Sequence, residues 1–361
     1  MNAQTSLNRD LTEDLRRRVL DAAETRTPLA IRGSGSKEFY GRGVRGELLD
    51  VSGHRGIVSY EPTELYLTAR AGTPLAEIDA ALTDSGQMLG CEPPAFGPGA
   101  TVGGTVAAGL SGPRRPYAGS VRDYVLGVKV LNGRGEVLRF GGQVMKNVAG
   151  YDVSRLMAGA LGGLGVLLEV SFKVLPRPVA ECTLVQEATQ AEAIERLNRW
   201  AGQPLPLSAS AWDDGRLSVR LSGAAAAVEA AARTLGGERL DPVAAEAVWA
   251  ALREQTHAFF AGDEPLWRLS VAPASAALAL PGAQLIEWGG AQRWWRGDGE
   301  AAGLRARAAA AGGHATLFRG GERSGEVFQP LAPGLAKLQA ELKRSFDPHG
   351  IFNPGRLYAG L

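Results

Sequence analysis

Cysteine and histidine are scarce in this chain: its 361 residues hold two cysteines, Cys91 and Cys182, and four histidines, His54, His257, His314 and His349. Two isolated cysteines exclude a disulfide framework and a cysteine-held metal or iron–sulfur site, and leave both thiols buried and free. No two histidines stand at ligand spacing, so no metal centre is expected. No apolar run approaches membrane-spanning length, and the charged, helix-like start MNAQTSLNRDLTEDLRRRVLDAAE lacks the apolar core of a secretory signal. The expectation is a soluble, cytoplasmic chain. A basic run with interleaved aromatics is also missing, and 39 Lys and Arg balance 38 Asp and Glu. Nucleic acid is therefore not an expected partner. Tryptophan is absent from the first half: all seven fall at 200, 212, 249, 267, 288, 294 and 295, whereas more than half of the 48 glycines lie between 31 and 165. The length allows two cores, and this asymmetry argues for two differently built domains. The change falls near LPRPVAEC, where Pro176 and Pro178 end the strand-like run LLEVSFKVL.

What is present begins with IRGSGSKEFYG, residues 31–41, which follows the apolar run Pro28-Leu29-Ala30-Ile31. A Rossmann fingerprint would need glycine where Glu38 stands and an amphipathic helix after it, and FYGRGVRGELLDVS has no helical stripe. A Walker loop fails because Lys37 lies between Ser36 and Glu38. What remains is a strand entering a turn whose amides, with Ser34, Ser36 and Lys37, suit an anion such as a diphosphate, or an ordinary glycine-rich turn.

Further along, ELLDVS and GIVSYE read as short strands. LYLTARAGTPLAEIDAALTDSG reads as a strand passing into a helix with Leu75, Ile78 and Leu82 on its apolar face, Thr73 as cap and Pro74 in the first turn. DYVLGVKVLN and GEVLRFGG are strands around the hairpin signal Asn132-Gly133. In the second half AEAIERLNRWAG and the alanine-rich run 223–232 read as helices, and SAWDDGRLSVRLSG as a hairpin. WRLSVAPA, AQLIEWGGAQRWWRG and HATLFRG read mostly as strands. The pattern is α+β, with many short strands and a second, helix-covered antiparallel sheet.

The most informative stretch is PPAFGPGATVGGTVAAGLSGPRRPYAGSVRDYVLGVKVLNGRGEV, residues 93–137. Gly97, Gly99, Gly103 and Gly104 permit close backbone approach, a short helix is expected from Thr105, and Ser111-Gly112 makes a second bend. Two glycine-rich loops after strands can clamp one long anionic ligand. These residues, with KNVAGYDVSRLMAGALGGLGVLLEVSFKVLPRP (146–178) and FDPHGIFNPGRLY (346–358), resemble the FAD-binding domain of the vanillyl-alcohol oxidase and p-cresol methylhydroxylase (PCMH) type. The resemblance implies a two-lobed PCMH-type FAD-binding domain over residues 1–178, a smaller α+β cap domain with an antiparallel sheet over 179–335, and a C-terminal segment, 336–361, returning to the first domain.

It also implies cofactor contacts. Arg32, Gly33, Ser34, Gly35, Ser36 and Lys37 correspond to the first diphosphate loop. Gly99, Thr101, Val102, Gly103, Gly104, Ala108, Ser111 and Gly112 correspond to the second. Gly163, Gly165 and Val166 fall on the ribose and adenine side, and Asn353 near the ring. Asp123 and Tyr151 are equally readable as structural. Relatives that tether FAD through the first loop carry a histidine there; this chain has Ser36 and Lys37, and Cys91 does not match a tethering cysteine, so FAD is expected to be non-covalent.

The segments LIEWGGAQRWW (285–295) and GGHATLFRGGERSGEVFQPL (312–331) resemble FAD-binding subunits of glycolate oxidase (glycolate dehydrogenase) complexes, which extends the resemblance over nearly the whole chain. It implies oxidation of glycolate, a 2-hydroxy acid, together with a larger homologous flavoprotein subunit and an iron–sulfur subunit, and membrane contact only through that complex. Self-sufficient 2-hydroxy-acid dehydrogenases of the superfamily supply paired metal-binding histidines that this chain lacks, so the partner flavoprotein is expected to carry most of the substrate chemistry. Within this chain Lys146, which borders the flavin segment, His314 and Arg319 are the candidates for catalysis, with Arg296 a second candidate for a substrate carboxylate. A self-sufficient hydroxy-acid dehydrogenase and a cofactor-free scaffold are the alternatives. Trp294 and Trp295 are read as partner-docking anchors, against the alternative that they are core.

Overall fold

The computed structural model of the chain describes residues 8–143 and 152–361. Alternating apolar residues in its first half build a five-stranded antiparallel sheet, in the order Ile57–Glu61, Tyr66–Arg70, Val166–Lys173, Val125–Leu131 and Val137–Gly141. Its central strand is buried along seven of eight residues, and this is why VLLEVSFK reads as an almost unbroken apolar run. The helix Leu75–Asp84 lays Leu75, Ile78 and Leu82 on this core beside Leu67, Val170 and Phe172. Beside it, Leu29–Arg32 and Glu47–Asp50 pair in parallel. The helix Thr12–Thr25 covers them, with Leu15, Val19 and Ala22 against Leu29 and Leu49.

The second sheet has eight antiparallel strands, in the order Glu238–Arg239, Ala180–Glu187, Arg216–Gly223, Leu207–Asp213, Gln284–Glu287, Gln292–Arg296, Leu266–Ser270 and His314–Arg319. One face carries Ala209, Ala211, Leu266, Leu285, Trp294 and Phe318 onto Tyr40, Ala108, Leu110 and Leu161 of the first half. The opposite face holds Trp267, Leu269, Trp295 and Leu317 beneath Leu304 and Ala308 of the helix Ala301–Ala310. The α+β class with antiparallel sheets is thus realised. After the helix Pro333–Phe346 the chain returns to the first half, where Phe352 bridges Leu29 in parallel.

Several local expectations change. The short helix expected from Thr105 spans Val102–Ala108, because the Thr101 hydroxyl accepts the Gly104 amide and starts it earlier. Thr73 does not cap the next helix: its hydroxyl accepts the Gly56 amide at 2.9 Å and donates to the Gly56 carbonyl. Pro74 then takes the cap position. The Asn132-Gly133 turn does join two paired strands, but through residues 132–136, with the Asn132 side-chain oxygen accepting the Arg134 and Glu136 amides.

Trp294 and Trp295 do not form a docking face. Each is only 4% exposed, and they point to opposite sides of the sheet. Trp294 donates to Glu287 at 2.6 Å, and Trp295 donates to the Pro281 carbonyl at 2.6 Å. An adjacent pair on a strand covered on both faces is core on both faces. Among the described residues no helix is long and apolar enough to cross a membrane.

Candidate functional site: a glycine-lined cavity and its neighbour

The strand Leu29–Arg32 delivers the loop 33–37 to the edge of the helix Val102–Ala108. A β-carbon on Gly33 would lie 2.4 Å from the Thr101 hydroxyl, and one on Gly103 would lie 2.7 Å from the Ala71 β-carbon. Only bare backbone lets these segments approach so closely. Between them and the turn 160–165 opens a cavity of about 520 Å³. The amides of Gly33, Ser34, Gly35 and Lys37 have no acceptor among the described residues, and unpaired amides at a cavity wall are donors for a ligand.

Lys37 adds a cation. Its ammonium donates to the Ala95 carbonyl at 3.0 Å and lies 5.7 Å from the centre of the Phe96 ring. Burial pushes its pKa down to about 8, against the opposing charge of Glu254. Amides, serine hydroxyls and a desolvated lysine are the donor set of a diphosphate site. These residues fit FAD.

Of the residues assigned to the cofactor from sequence, Arg32, Gly33, Ser34, Gly35, Ser36, Lys37, Thr101, Gly103, Gly104, Ala108, Gly165 and Asn353 line this cavity. Val102 and Val166 are fully buried in two separate cores. Gly163 opens onto a neighbouring cavity, Ser111 and Gly112 border a small third one, and Gly99 is exposed near Ser34. The Ser111 hydroxyl accepts the Val121 amide. Asp123 is structural in geometry, closing a capping box with Ser120, while Tyr151 and Lys146 lie outside the described residues. Cys91 and Cys182 are free and buried, and burial pushes both thiols up.

The C-terminal segment closes the cavity. Asn353 accepts the Ile31 amide at 2.8 Å and donates to the Leu161 carbonyl at 2.6 Å. Arg356 donates to the Arg42 and Glu38 carbonyls at 2.8 and 3.0 Å, and so pins the first loop from behind. Lys343 and Asp347 hold the turn that presents both: the ammonium donates to Asp347, Gly163 and Phe352 at 2.6–2.7 Å. The Asp347 carboxylate in turn accepts the Ile351 and Phe352 amides. From the second half, Glu254 accepts the Ala95 and Phe96 amides at 3.0 and 2.8 Å.

A second cavity of about 400 Å³ lies on the other side of this partition and shares Ala160, Leu164, Asn353 and Arg356 with the first. The eight-stranded sheet contributes Arg268, His314 and Thr316. His314 is therefore in a cavity wall, but Arg319 is not in the wall of either. Its guanidinium donates to Gln255 at 2.7 Å and stacks 4.6 Å from the Phe39 ring centre. Arg296 is held by Glu264 at 3.0 Å and by the Phe259 and Ala261 carbonyls. Sequence reasoning missed Arg268, which sits in a segment read only as a strand, and Arg356, which stands in the quoted NPGR motif. Among the described residues no cluster of three or more His, Cys, Asp or Glu could hold a metal ion.

A family model described as an FAD binding domain matches residues 10–141. The glycolate oxidase subunit GlcE of Escherichia coli (strain K12) is 51% identical over 352 residues, covering 98% of this chain and 99% of that protein. The glycolate oxidase subunit GlcD of Bacillus subtilis (strain 168) is 31% identical over 176 residues, 48% of this chain and 37% of that one. Among solved structures, an alkyldihydroxyacetonephosphate synthase matches with a TM-score of 0.68 at 15% identity, covering 96% of this chain and 76% of that one. This last likeness is one of fold.

Proposed function

The chain belongs to the family of the glycolate oxidase subunit GlcE, and from that premise we propose that it is the FAD-carrying oxidoreductase subunit of a complex that oxidises glycolate to glyoxylate. The observation that carries this reading is the glycine-lined cavity with a buried lysine and four amides at its wall that have no acceptor among the described residues. FAD supplies a two-electron acceptor that no amino-acid side chain provides. The chain's own work is to bind and to exclude water. The amides of Gly33, Ser34, Gly35 and Lys37 and the Lys37 ammonium would hold the diphosphate, Gly103 and Gly104 would let the backbone approach it, and Asn353 and Arg356 keep the loops in register. The apolar face of the eight-stranded sheet, with Trp294 and Phe318, keeps the space between the two halves dry.

In this reading residues 1–178 and 336–361 form the FAD-binding unit and 179–335 the cap. FAD is dissociable, since no histidine stands in the first loop and Cys91 is buried in the core. Electrons leave through a larger homologous flavoprotein and an iron–sulfur subunit, in the cytoplasm, with membrane contact only through the complex. The purified chain should be yellow, release its flavin on acid or heat denaturation, and co-purify with both co-expressed partners as a glycolate-oxidising assembly. A chain that stays colourless when FAD is added overturns the reading. Flavin that precipitates with the denatured protein overturns its non-covalent part.

A further inference from the structure

On the inward face of the eight-stranded sheet a strip of polar residues crosses the last four strands. Antiparallel pairing sets Glu287 opposite Gln292, Gln292 opposite Ser270, and Ser270 opposite His314. One step along, Arg268 stands opposite Thr316. Paired residues share a face, so Arg268 and His314 project together as diagonal neighbours, roughly 7–8 Å apart with their β-carbons somewhat closer. Both line the 400 Å³ cavity that adjoins the glycine-lined one across Asn353 and Arg356.

The chemistry of this corner is that of an anion site. Among the described residues no Asp or Glu side chain lines the cavity, and the only carboxylate-bearing residue in its wall is the last one, Leu361, whose main-chain oxygen accepts the Gly355 amide. Its other two cations, Lys343 and Arg356, are engaged with Asp347 or with carbonyls. Arg268 differs. It donates one bond, to the Tyr40 hydroxyl at 2.9 Å, its guanidinium rests against the Tyr40 and Phe318 rings, and its remaining donors have no acceptor among the described residues. The His314 ring likewise has no hydrogen-bond partner among them. His314 stands at the exposed start of its strand; partial desolvation in the cavity wall and the Arg268 charge hold its imidazole below the ordinary value, which favours the neutral ring that can accept a hydrogen bond.

We propose that this cavity is a small-carboxylate site within the chain itself, taking a 2-hydroxy acid with its carboxylate on Arg268 and its hydroxyl donating to His314. The inference rests on the glycolate-oxidising reading but divides the labour differently: the chain with the FAD cavity also holds the acid. A guanidinium on a carboxylate makes two parallel charge-assisted bonds, so arginine cannot be replaced by lysine without loss.

Calorimetric titration of the purified FAD-loaded chain tests this with glycolate, with non-oxidisable oxalate, and with acetate, which lacks the hydroxyl; flavin content and melting temperature are read on every sample. Glycolate and oxalate are expected to bind at one saturable site and acetate more weakly. Arg268→Met should weaken glycolate at least tenfold and Arg268→Lys severalfold, with flavin content unchanged. His314→Phe should erase the preference for glycolate over acetate. If Arg268→Met fails to fold, Arg268→Lys carries the test. Wild-type protein that is yellow yet binds neither glycolate nor oxalate overturns the proposal and leaves the FAD reading standing. So does glycolate affinity unchanged in Arg268→Lys, or unchanged acid preference in His314→Phe. Loss of flavin in the wild-type chain is a different failure, that of the cofactor reading.

Discussion

The side-chain oxygen of Asn353 accepts the amide of Ile31 at 2.8 Å, joining residues 322 positions apart in the sequence. Its nitrogen donates to Leu161. One carboxamide therefore ties the first glycine-rich loop, the turn before Gly162 and the C-terminal return into a single wall.

Asn353→Ala leaves an amide and a carbonyl without partners, each at about 1–3 kcal/mol. It also puts alanine at a φ of 40°, which asparagine tolerates better. We expect a lower melting temperature and loss of FAD together. Asn353→Asp keeps an acceptor for Ile31 but sets a carboxylate against the Leu161 carbonyl, so it should rescue neither. A yellow Asn353→Ala protein with wild-type melting would contradict this.

Two neighbouring glycines separate binding from folding. A β-carbon on Gly104 would meet only the Thr101 hydroxyl, at 3.1 Å, and a valine there would grow into the cavity. Gly104→Val should stay folded and lose FAD. A β-carbon on Gly103 meets the Ala71 β-carbon at 2.7 Å and its carbonyl at 3.1 Å, so Gly103→Val should lose the fold as well. Flavin absorbance and melting temperature distinguish the two, and a yellow Gly104→Val protein would rule out the placement of the second loop.

These relationships were unequally legible in the sequence. The strands and the two glycine-rich loops could be read because period-two alternation and glycine spacing are local signals. Val102 and Val166 stand inside glycine-rich motifs and so read as ligand contacts. In a segment that binds through its backbone, however, the side chains turn to the core. Trp294 and Trp295 were ambiguous because alternation cannot show that a sheet is covered on both faces. The helix Pro242–Glu254 has a legible start in Asp241-Pro242, with Asp241 accepting the Val243 and Ala244 amides, a capping signal that lies outside the segments read as helices. Arg268 had no local signal, since only strand pairing places it beside His314.

Lys37 predicts a pH dependence of cofactor binding. In the free chain burial pushes its pKa down to about 8. A diphosphate beside it raises that value again, so above about pH 8 binding takes up a proton and affinity falls as pH rises, by at most about tenfold per unit. FAD titrations from pH 6 to pH 10 should be flat below about 8 and fall above it. Lys37→Met should bind more weakly throughout and lose the bend. A bend that persists in Lys37→Met would assign it to another group.

The two halves are joined by a buried charge cluster that predicts how the whole chain responds to acid. Arg220 of the second sheet donates to both Glu92 oxygens at 2.9 Å, while Arg114 donates to Glu92 at 3.2 Å and to Glu181 at 2.5 Å. Burial alone would raise the Glu92 pKa, but the charges of Arg220 and Arg114 overcome it and hold the carboxyl below its ordinary value. A group depressed in the folded state stabilises it above the unfolded pKa, and this contribution disappears as pH falls through the folded pKa. Glu92→Gln removes the charge outright. Arg114 keeps Glu181, but Arg220 is left buried without its counter-charge, and breaking one side of such a pair costs about 3–5 kcal/mol. At pH 7 the variant should melt well below wild type, and the gap should narrow as pH falls below the ordinary carboxylate range, because the wild type then loses what the variant already lacks. Adding Arg220→Met to Glu92→Gln removes the stranded charge and should recover part of the loss. A gap that stays constant with pH, or a double variant no more stable than the single, would show that Glu92 acts by packing rather than by charge.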